Sequence, residues 1–178
     1  MTRDQCIALM IKLEGGFVDN PADPGGATKF GITQATLDSL QGKGLPTRLP
    51  THVRDLTEDN AYAIYRAVQW AQIHGDALPG ALPALMLNTA VNMGEPTAVK
   101  LLQECLGHVN PDGIMGPATL SAITTWHSAY MPGQSLAEEF VAHVGARYAT
   151  LAGKGENLVF ELGWFRRLFR VYTLALTT

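Results

Sequence analysis

The sequence predicts a mainly α-helical fold with a small β-hairpin or loop after the first helix. Along most of the chain, apolar residues recur at intervals of three and four, the spacing of a buried helix face. The alternation of apolar and polar residues that marks a half-buried strand is almost absent. Capping residues or prolines also precede most of the apolar segments, as they do at helix starts.

The first helix begins at a capping box formed by Thr2 and Gln5. Its buried stripe follows helical spacing and comprises Cys6, Ile7, Met10, Ile11 and Leu13. The pattern stops at Glu14, which is followed by two glycines that can adopt the left-handed conformation typical of helix ends. We therefore expect Glu14 at a helix C-terminus, with its side chain beside a turn.

Turn-forming residues dominate the next segment, residues 17–32, which we expect to form a loop or a short hairpin. Thr33 caps a second helix that runs to about Leu40, and a loop rich in glycine and proline covers residues 41–56. Thr57 then caps a strong helix with the sequence EDNAYAIYRAVQWAQI.

The second half of the chain is predicted to be almost entirely helical. The segment LPALMLNTAVNMG is nearly all apolar, which indicates a central buried helix. Pro96 stands in the first turn of the following helix, Pro117 opens the helix ATLSAITTWHSAY, and Ser135 caps the next. A last helix is expected from about Glu161 to Leu176.

The composition excludes some classes of protein. The chain has 178 residues, 47% of them hydrophobic, which suffices for one compact domain or two small lobes. Only 16% are charged and the formal net charge is −3, so a nucleic-acid binder is not expected. No apolar stretch approaches the length of a membrane span, so stable membrane insertion is not expected either. We interpret the basic segment GWFRRLFR as a docked amphipathic helix rather than a membrane or nucleic-acid contact.

Neither a metal nor a cofactor is predicted. The five histidines are scattered and form no HExxH or comparable ligand cluster. The two cysteines, Cys6 and Cys105, lie in apolar helical patterns, so two buried free thiols are expected, with a disulfide as the alternative. The N-terminal residues lack the pattern of a signal peptide, so we expect synthesis in the cytoplasm and a separate means of export for any role outside it.

A candidate catalytic group stands at the end of the first helix. Hydrolysis of a glycoside needs a protonated acid beside the leaving oxygen and a second group that activates water or stabilises the developing charge. Partial burial and the negative end of the helix dipole both favour the protonated form of Glu14, as a general acid requires. Asp23, in a polar loop, is expected to stay ionised, with Asp19 as its competitor, and the hydroxyl of Thr28 is suited to orient a water.

Residues of the same loop are candidates for binding a sugar chain. Gly25 and Gly26 would let it pass close to the backbone, and Lys29 would line the cleft, whereas Phe30 is expected mainly in the core. On spacing alone, a loop that merely turns the chain and a solvated Glu14 explain the same residues. A cation site in this loop would have too few acidic ligands.

Two amides and three aromatic residues on the predicted helices are ambiguous. Asn88 and Asn92 lie one helical turn apart on an apolar helix, where buried amides need partners. They either brace the hairpin or bind N-acetyl groups of a substrate. Tyr62, Tyr65 and Trp70 follow helical spacing, so core packing is favoured over a sugar-stacking role.

The stretch EGGFVDNPADPGGATKFGIT, residues 14–33, resembles the signature of the N-acetylmuramidases of glycoside hydrolase family 108. That signature begins with Glu-Gly-Gly and continues through Asp-Pro-Gly-Gly-x-Thr-Lys-aromatic-Gly-Ile, and every element is present. The segment LTEDNAYAIYRAVQW resembles a helix of the same family. The segments NTAVNMGEPTAVKLLQECLG, DGIMGPATLSAI and GWFRR resemble the peptidoglycan-binding region associated with it, so the resemblance spans nearly the whole chain.

The resemblance implies a lysozyme-like fold, with residues 1–94 as the muramidase region and residues 95–178 as a helical peptidoglycan-binding region packed against it. It implies cleavage of the β-1,4 bond between N-acetylmuramic acid and N-acetylglucosamine in peptidoglycan glycan strands, with Glu14 as the catalytic glutamate. A looser resemblance to phage-type lysozymes assigns the second role to Asp23 and Thr28, although their interval is one residue shorter here. Water held by such a pair predicts inversion with carboxyl groups roughly 6.5–9.5 Å apart, whereas roughly 5–5.5 Å predicts a retaining nucleophile.

Two biological roles fit the same chemistry: a phage or prophage endolysin released through a membrane pore, and a muramidase that opens the wall locally for secretion. Either would act in the periplasm or cell wall. The motif DGIMGPATL either contacts peptidoglycan or only completes the fold. The rival functions are a non-catalytic peptidoglycan-binding protein and a structural or interaction protein on a lysozyme scaffold.

Overall fold

The computed structural model describes residues 1–19, 26–126, 135–153 and 158–177. Within these ranges the chain forms eight α-helices and one three-stranded antiparallel sheet, which confirms the predicted mainly α class with a small sheet after the first helix. The helices are α1 (Arg3–Glu14), α2 (Gln34–Leu40), α3 (Glu58–Tyr65), α4 (Leu82–Met93), α5 (Glu95–Leu106), α6 (Pro117–Thr125), α7 (Leu136–Ala152) and α8 (Leu158–Thr177). The strands are β1 (Phe17–Val18), β2 (Thr28–Lys29) and β3 (Ile32–Thr33).

The chain divides into two compact units. The N-terminal unit covers Thr2–Ala71 and contains α1 to α3 and the sheet. The C-terminal unit covers Gln72–Thr178 together with Met1 and contains α4 to α8.

Helix α1 begins and ends where the sequence predicts. Thr2 and Gln5 form the capping box, each side chain accepting a hydrogen bond from the other residue's backbone N–H. Gly15 follows the helix with φ 75°, and its N–H donates to the Ile11 carbonyl. The buried face packs against α3 and consists of Cys6, Ile7, Met10 and Ile11. Glu14 is therefore the last residue of the helix.

Strands β1, β2 and β3 form one sheet in which β2 is the central strand. β1 and β2 are antiparallel, with Phe17 opposite Lys29 and Val18 opposite Thr28. β2 and β3 are antiparallel as well, and Thr28 pairs with Thr33 on that side. The sheet thus carries the chain from the end of α1 directly to the start of α2, where the Thr33 hydroxyl accepts from the N–H of Thr36.

The segment predicted as a loop, residues 41–56, contains a short 3-10 helix at Val53–Asp55 that supports the sheet. Lys29 Nζ donates to the Arg54 carbonyl at 2.7 Å, which attaches β2 to this segment. The side chain of Gln34, at the start of α2, accepts from the Val53 N–H at 2.8 Å. These bonds hold the segment against both the sheet and α2.

The helix predicted after Thr57 is present but changes its geometry. Thr57 and Asn60 form a capping box, and α3 then passes into a π-helical turn at Arg66–Trp70. Such a turn replaces the regular i to i+4 bonding by i to i+5. The pattern of apolar residues is compatible with both forms, so it did not reveal the change. Tyr65 and Trp70 are buried, in agreement with the predicted core packing.

Helix α4 forms the centre of the C-terminal unit, as its composition predicted. Every residue from 82 to 90 is buried, and α4 packs against α5, α7 and α8. Helix α8 is docked as predicted, since Leu168 and Val171 are fully buried, and it begins at Leu158, slightly before the predicted start. Helix α6 ends at Thr125, earlier than predicted, and the remaining residues of that predicted helix from 127 onward lie outside the described ranges.

The segment after α5 is organised around the buried side chain of Gln103. Its Nε2 donates to Asp112 Oδ1, to the Ile114 carbonyl and to Thr119 Oγ1, and its Oε1 accepts from the N–H of Gly113. The Ile114 N–H and the Gln103 amide, both donating to Asp112, hold the pKa of that carboxyl below its ordinary value. One glutamine therefore fixes the turn of the DGIMGPATL motif.

Both cysteines are free and buried, and burial raises the pKa of both thiols. Among the described residues, no helix is long and apolar enough to cross a membrane. The same residues contain no group of three or more histidine, cysteine, aspartate or glutamate side chains arranged to hold a metal ion.

Candidate active site

Glu14 lies at the junction between α1 and the sheet. It is half-buried, and the chain turns immediately after it at Gly15. The Gly15 carbonyl accepts a hydrogen bond of 3.1 Å from the N–H of Phe30, in the connection between β2 and β3. The helix end that carries Glu14 is thus bonded directly to the tip of the second hairpin.

That tip is a two-residue turn made of Phe30 and Gly31. Both have left-handed backbone conformations, with φ values of 54° and 72°. Two consecutive positive φ values between antiparallel strands are typical of a type I′ turn, whose twist matches that of the strands. Glycine adopts this conformation freely, but phenylalanine rarely does, so the fold holds Phe30 in an uncommon conformation at this site.

The tight turn brings the backbone of Gly31 against the side chain of Glu14. A Cβ atom on Gly31 would lie 2.8 Å from Glu14 Cγ and 3.0 Å from Glu14 Oε2. It would also lie 3.0 Å from the hydroxyl oxygen of Tyr65. No real side chain tolerates such contacts without a shift, so this position requires glycine both for its conformation and for its space.

Tyr65 completes the support of the turn. Its side chain, 1% exposed, extends from the end of α3, and its hydroxyl donates to the Phe30 carbonyl at 3.0 Å. The prediction of core packing was right for the ring but missed the hydroxyl, which contacts the turn beside Glu14. The polar end of an otherwise apolar side chain was the one signal in the sequence, since a buried tyrosine hydroxyl needs a partner.

The other predicted catalytic residues lie on the first hairpin or beyond the described ranges. Thr28 is half-buried in the central strand, and its two strand neighbours are Val18 and Thr33. Asp19 is exposed, directly after β1. Asp23 lies outside the described residues, so its separation from Glu14 stays a prediction.

Among the predicted sugar-binding residues of this loop, Gly25 also lies outside the described residues. Gly26 is exposed, with φ 69° and open space around its Cα. Lys29 is half-buried, donates to the Arg54 carbonyl and places its ammonium 5.4 Å from the centre of the Phe30 ring. The backbone contact makes Lys29 a brace of the sheet, and its role toward a sugar stays a prediction.

An aromatic ring that sequence reasoning left unassigned lies on β1. Phe17 is 38% exposed, and the guanidinium of Arg54 lies over its ring at 5.1 Å. Its neighbour Val18 is 57% exposed. β1 therefore presents two partly exposed apolar side chains, one of which also contacts a guanidinium.

Asn88 and Asn92 belong to the C-terminal unit, and they differ in exposure. Asn88 is fully buried, and its Oδ1 accepts from Arg167 Nε of α8 at 2.7 Å. Asn92 is exposed, and its Nδ2 contacts the same oxygen at 3.4 Å. Asn88 thus braces α4 against α8, and the predicted contact of this pair with N-acetyl groups stays a prediction.

Comparison with known proteins places the chain among two families of domains. The model of the Glycosyl hydrolase 108 family matches residues 7–94, which include Glu14, the sheet and Tyr65. The model of the Predicted Peptidoglycan domain matches residues 97–169. No curated protein matches the sequence.

Among solved structures, that of Brucella abortus SagA is similar over nearly its full length. The two chains are 36% identical with a TM-score of 0.76, and the match covers 97% of this chain and 92% of SagA. A likeness of this extent includes both the part with the Glu14 turn and the helices that follow it. The chain therefore belongs to glycoside hydrolase family 108 and is a peptidoglycan hydrolase with a C-terminal peptidoglycan domain.

Proposed function

We propose that the protein is a lysozyme-type N-acetylmuramidase that cleaves the β-1,4 bond between N-acetylmuramic acid and N-acetylglucosamine. Glu14 is the general acid that protonates the leaving glycosidic oxygen. The observation that carries this assignment is the contact of the Glu14 side chain with the backbone of Gly31. A catalytic acid must be held in one position relative to the scissile bond, and a rigid turn packed against its Cγ and Oε2 supplies that restraint.

Asp23 and Thr28 share the second role, in which a water is held and activated on the other face of the sugar. The position of Thr28 in the central strand of the sheet supports its part, because a strand holds a hydroxyl more firmly than a loop does. Asp19 is the competitor of Asp23. Water attack of this kind inverts the anomeric centre, so proton NMR of the first product formed should detect the α-anomer.

The two family matches support different functions for the two parts of the chain. Residues 1–94 form the muramidase region, and residues 95–178 form the region that contacts the wall. The alternative is a peptidoglycan-binding protein without turnover, which the match of residues 97–169 alone would explain. Only the measurement of bond cleavage separates the two.

The cellular role is that of an endolysin or of a muramidase linked to secretion. Both act on the wall from the periplasmic side, so both depend on an export pore or on secretion machinery. Expression in a bacterial host with and without a pore-forming membrane protein distinguishes them. An endolysin lyses the culture once the pore opens. A secretion-linked muramidase instead restores secretion, without lysis, in a strain from which the gene for its own such muramidase has been deleted.

The decisive experiment compares wild type with Glu14→Gln on purified peptidoglycan. Release of reducing ends should fall by at least about a thousandfold in Glu14→Gln, because the amide cannot donate the catalytic proton. Glu58→Gln, an exposed glutamate at the start of α3, is the matched control and should digest like wild type. Mass spectrometry of the muropeptides should show N-acetylmuramic acid at the reducing ends.

Two results would overturn the proposal. One is a Glu14→Gln protein that digests as fast as the Glu58→Gln control. The other is a product with N-acetylglucosamine at the new reducing end, since that product identifies cleavage of the other glycosidic bond.

A further inference from the structure

A groove separate from the Glu14 site runs between α5 and α7 in the C-terminal unit. Its volume is about 450 Å³, within the roughly 300–1,000 Å³ typical of small-ligand sites. It lies wholly inside the residues matched by the peptidoglycan domain model. Its lining residues are Thr97, Lys100, Leu101, Glu104, His143, Ala146, Arg147 and Thr150.

The lining is charged and contains no phenylalanine, tyrosine or tryptophan. Lys100 and Glu104 lie one turn apart on α5, and His143 and Arg147 lie one turn apart on α7. Both signs of charge therefore meet within one groove of small-ligand size. Sites that bind neutral sugars usually offer an aromatic face instead.

Two of these charges are uncommitted. Within the described part of the chain, Glu104 and Arg147 form neither a hydrogen bond nor an ion pair, and both are exposed. His143 is engaged, since its Nδ1 lies 3.1 Å from the Glu139 carbonyl and 3.5 Å from the Glu139 carboxylate. An anionic group of a ligand could therefore form an ion pair with Arg147, and a cationic group could form one with Glu104.

The motif DGIMGPATL positions the remaining charge. A Cβ on Gly113 would lie 3.1 Å from Lys100 Cε and 3.3 Å from Lys100 Cγ, so the turn packs against the lysine stem. The carboxylate of Asp112 attracts the ammonium of Lys100. Because Gln103 fixes this turn from the core, the motif holds the stem of Lys100 in place. Lys100 and Arg147 are then the two cationic side chains in the groove that an anion could contact.

We infer that this groove binds the peptide stem of peptidoglycan rather than its glycan strand. The inference rests on the proposed function, since it assigns part of the same substrate to a second site. Where a stem is attached, the lactyl carboxyl of N-acetylmuramic acid is an amide, so both sugars of the strand are uncharged and offer no ionic partner to Arg147 or Glu104. The stem carries free carboxylates together with the ammonium of its diamino acid, which is the charge pattern that complements the groove.

The groove predicts affinity for a free stem peptide without any sugar. The probe is the synthetic tripeptide L-Ala-γ-D-Glu-meso-diaminopimelate, titrated into isotope-labelled wild-type protein and followed by NMR chemical shifts. Arg147→Gln and Glu104→Gln should each weaken binding by about tenfold, the effect of removing one charge-assisted hydrogen bond. Arg170→Gln, an exposed arginine of α8, makes the same charge change as Arg147→Gln outside the groove and should leave the affinity unchanged.

A second measurement uses the intact enzyme. Arg147→Gln should raise KM for whole peptidoglycan. It should leave KM unchanged for glycan strands whose stems an amidase has removed and whose freed lactyl carboxylates have then been converted to methylamides, with kcat unaffected on both substrates. A structural defect would instead change the kinetic constants for both substrates by the same factor.

The inference fails if the tripeptide shifts no groove resonance, if Arg147→Gln binds it as wild type does, or if a chitin tetramer shifts the same resonances. The proposed function is tested separately, and it fails if wild type and Glu14→Gln cleave peptidoglycan at the same rate. If the protein binds the tripeptide but cleaves no peptidoglycan, the groove is still a wall-binding site and the proposal of muramidase activity is wrong.

Discussion

The backbone of Gly31 lies so close to the side chain of Glu14 that a single added methyl group would overlap it. The Cβ position on Gly31 is 2.8 Å from Glu14 Cγ, and Gly31 has φ 72°. Gly31→Ala should therefore displace the Glu14 carboxyl, and we expect a loss in kcat of about tenfold or more, because displacements of about 1 Å at a catalytic group have large effects. The initial rate of reducing-end release measures it.

Gly44→Ala is the matched control for Gly31→Ala. Gly44 has φ 71°, nearly the same conformation, but no atom lies within 4 Å of its Cβ position. Both substitutions place alanine in the left-handed region, which costs about 1–2 kcal/mol. This shared backbone cost should lower the Tm of both variants by a similar amount. Only Gly31→Ala should lose activity per folded molecule. Equal activities of the two variants would contradict the contact with Glu14.

Tyr65 is predicted to act through the turn rather than on the substrate. Tyr65→Phe keeps the buried ring and removes the hydroxyl that donates to the Phe30 carbonyl, so the free energy of unfolding should fall by about 1 kcal/mol. Because the same hydroxyl lies beside the Glu14 turn, kcat should also fall several-fold with KM nearly unchanged. Tyr62→Phe, which removes the hydrogen bond from a tyrosine to Asp4 elsewhere on the N-terminal unit, should keep full kcat. A kcat equal to that of wild type in Tyr65→Phe would assign Tyr65 to core packing alone.

Features set by local chemistry could be predicted from the sequence. The caps at Thr2, Thr33, Thr57 and Ser135 are all present, because each depends on bonds to residues three positions away. The position of Glu14 at the end of α1 follows from the same local rules. The all-apolar composition of α4 likewise predicted its burial correctly.

Contacts between distant residues could not be predicted in the same way. Tyr65 is 35 positions from Phe30, and Arg167 is 79 positions from Asn88. Helical and strand periodicity do not relate residues so far apart in the sequence, because such pairs come together only when the helices pack. The sequence showed that Asn88 would need a partner, but the choice of Arg167 depends on how α8 lies on α4.

Asn88 should prove to be a structural residue. Its amide oxygen accepts from Arg167 inside the unit, so Asn88→Ala removes this acceptor from a half-buried guanidinium and should lower the free energy of unfolding by about 1–3 kcal/mol. Chemical denaturation measures that change. KM for peptidoglycan should be unaffected when rates are corrected for the folded fraction. Asn110→Ala, an exposed asparagine of the turn after α5, is the control and should change neither quantity.

A rise in KM of Asn88→Ala without a loss of stability would restore the sugar-binding interpretation. Asn92→Ala gives an independent check, because Asn92 is exposed and its contact with Asn88 is long at 3.4 Å. Its removal should have little effect on unfolding.

The buried thiol of Cys6 should make the N-terminal unit sensitive to alkali. Burial raises the pKa of Cys6 from 9.0 to about 11, so at pH 8 only about one molecule in a thousand carries the thiolate when folded, against about one in ten when unfolded. Iodoacetamide at pH 8 should therefore modify Cys6 at least about a hundredfold faster in denaturant than in the native protein. Mass spectrometry of tryptic peptides follows the modification.

The same pKa difference fixes the direction of the effect on stability. Below pH 9 both states keep the thiol protonated and the contribution of Cys6 to stability is constant. Between pH 9 and about 11 the unfolded state releases the proton while the folded state retains it, so the free energy of unfolding falls as pH rises. Cys6→Ala removes the titrating group, and the decline of Tm over this range should then be shallower than in wild type. An equally steep decline in both proteins would show that Cys6 ionises as readily in the folded protein as in the unfolded chain.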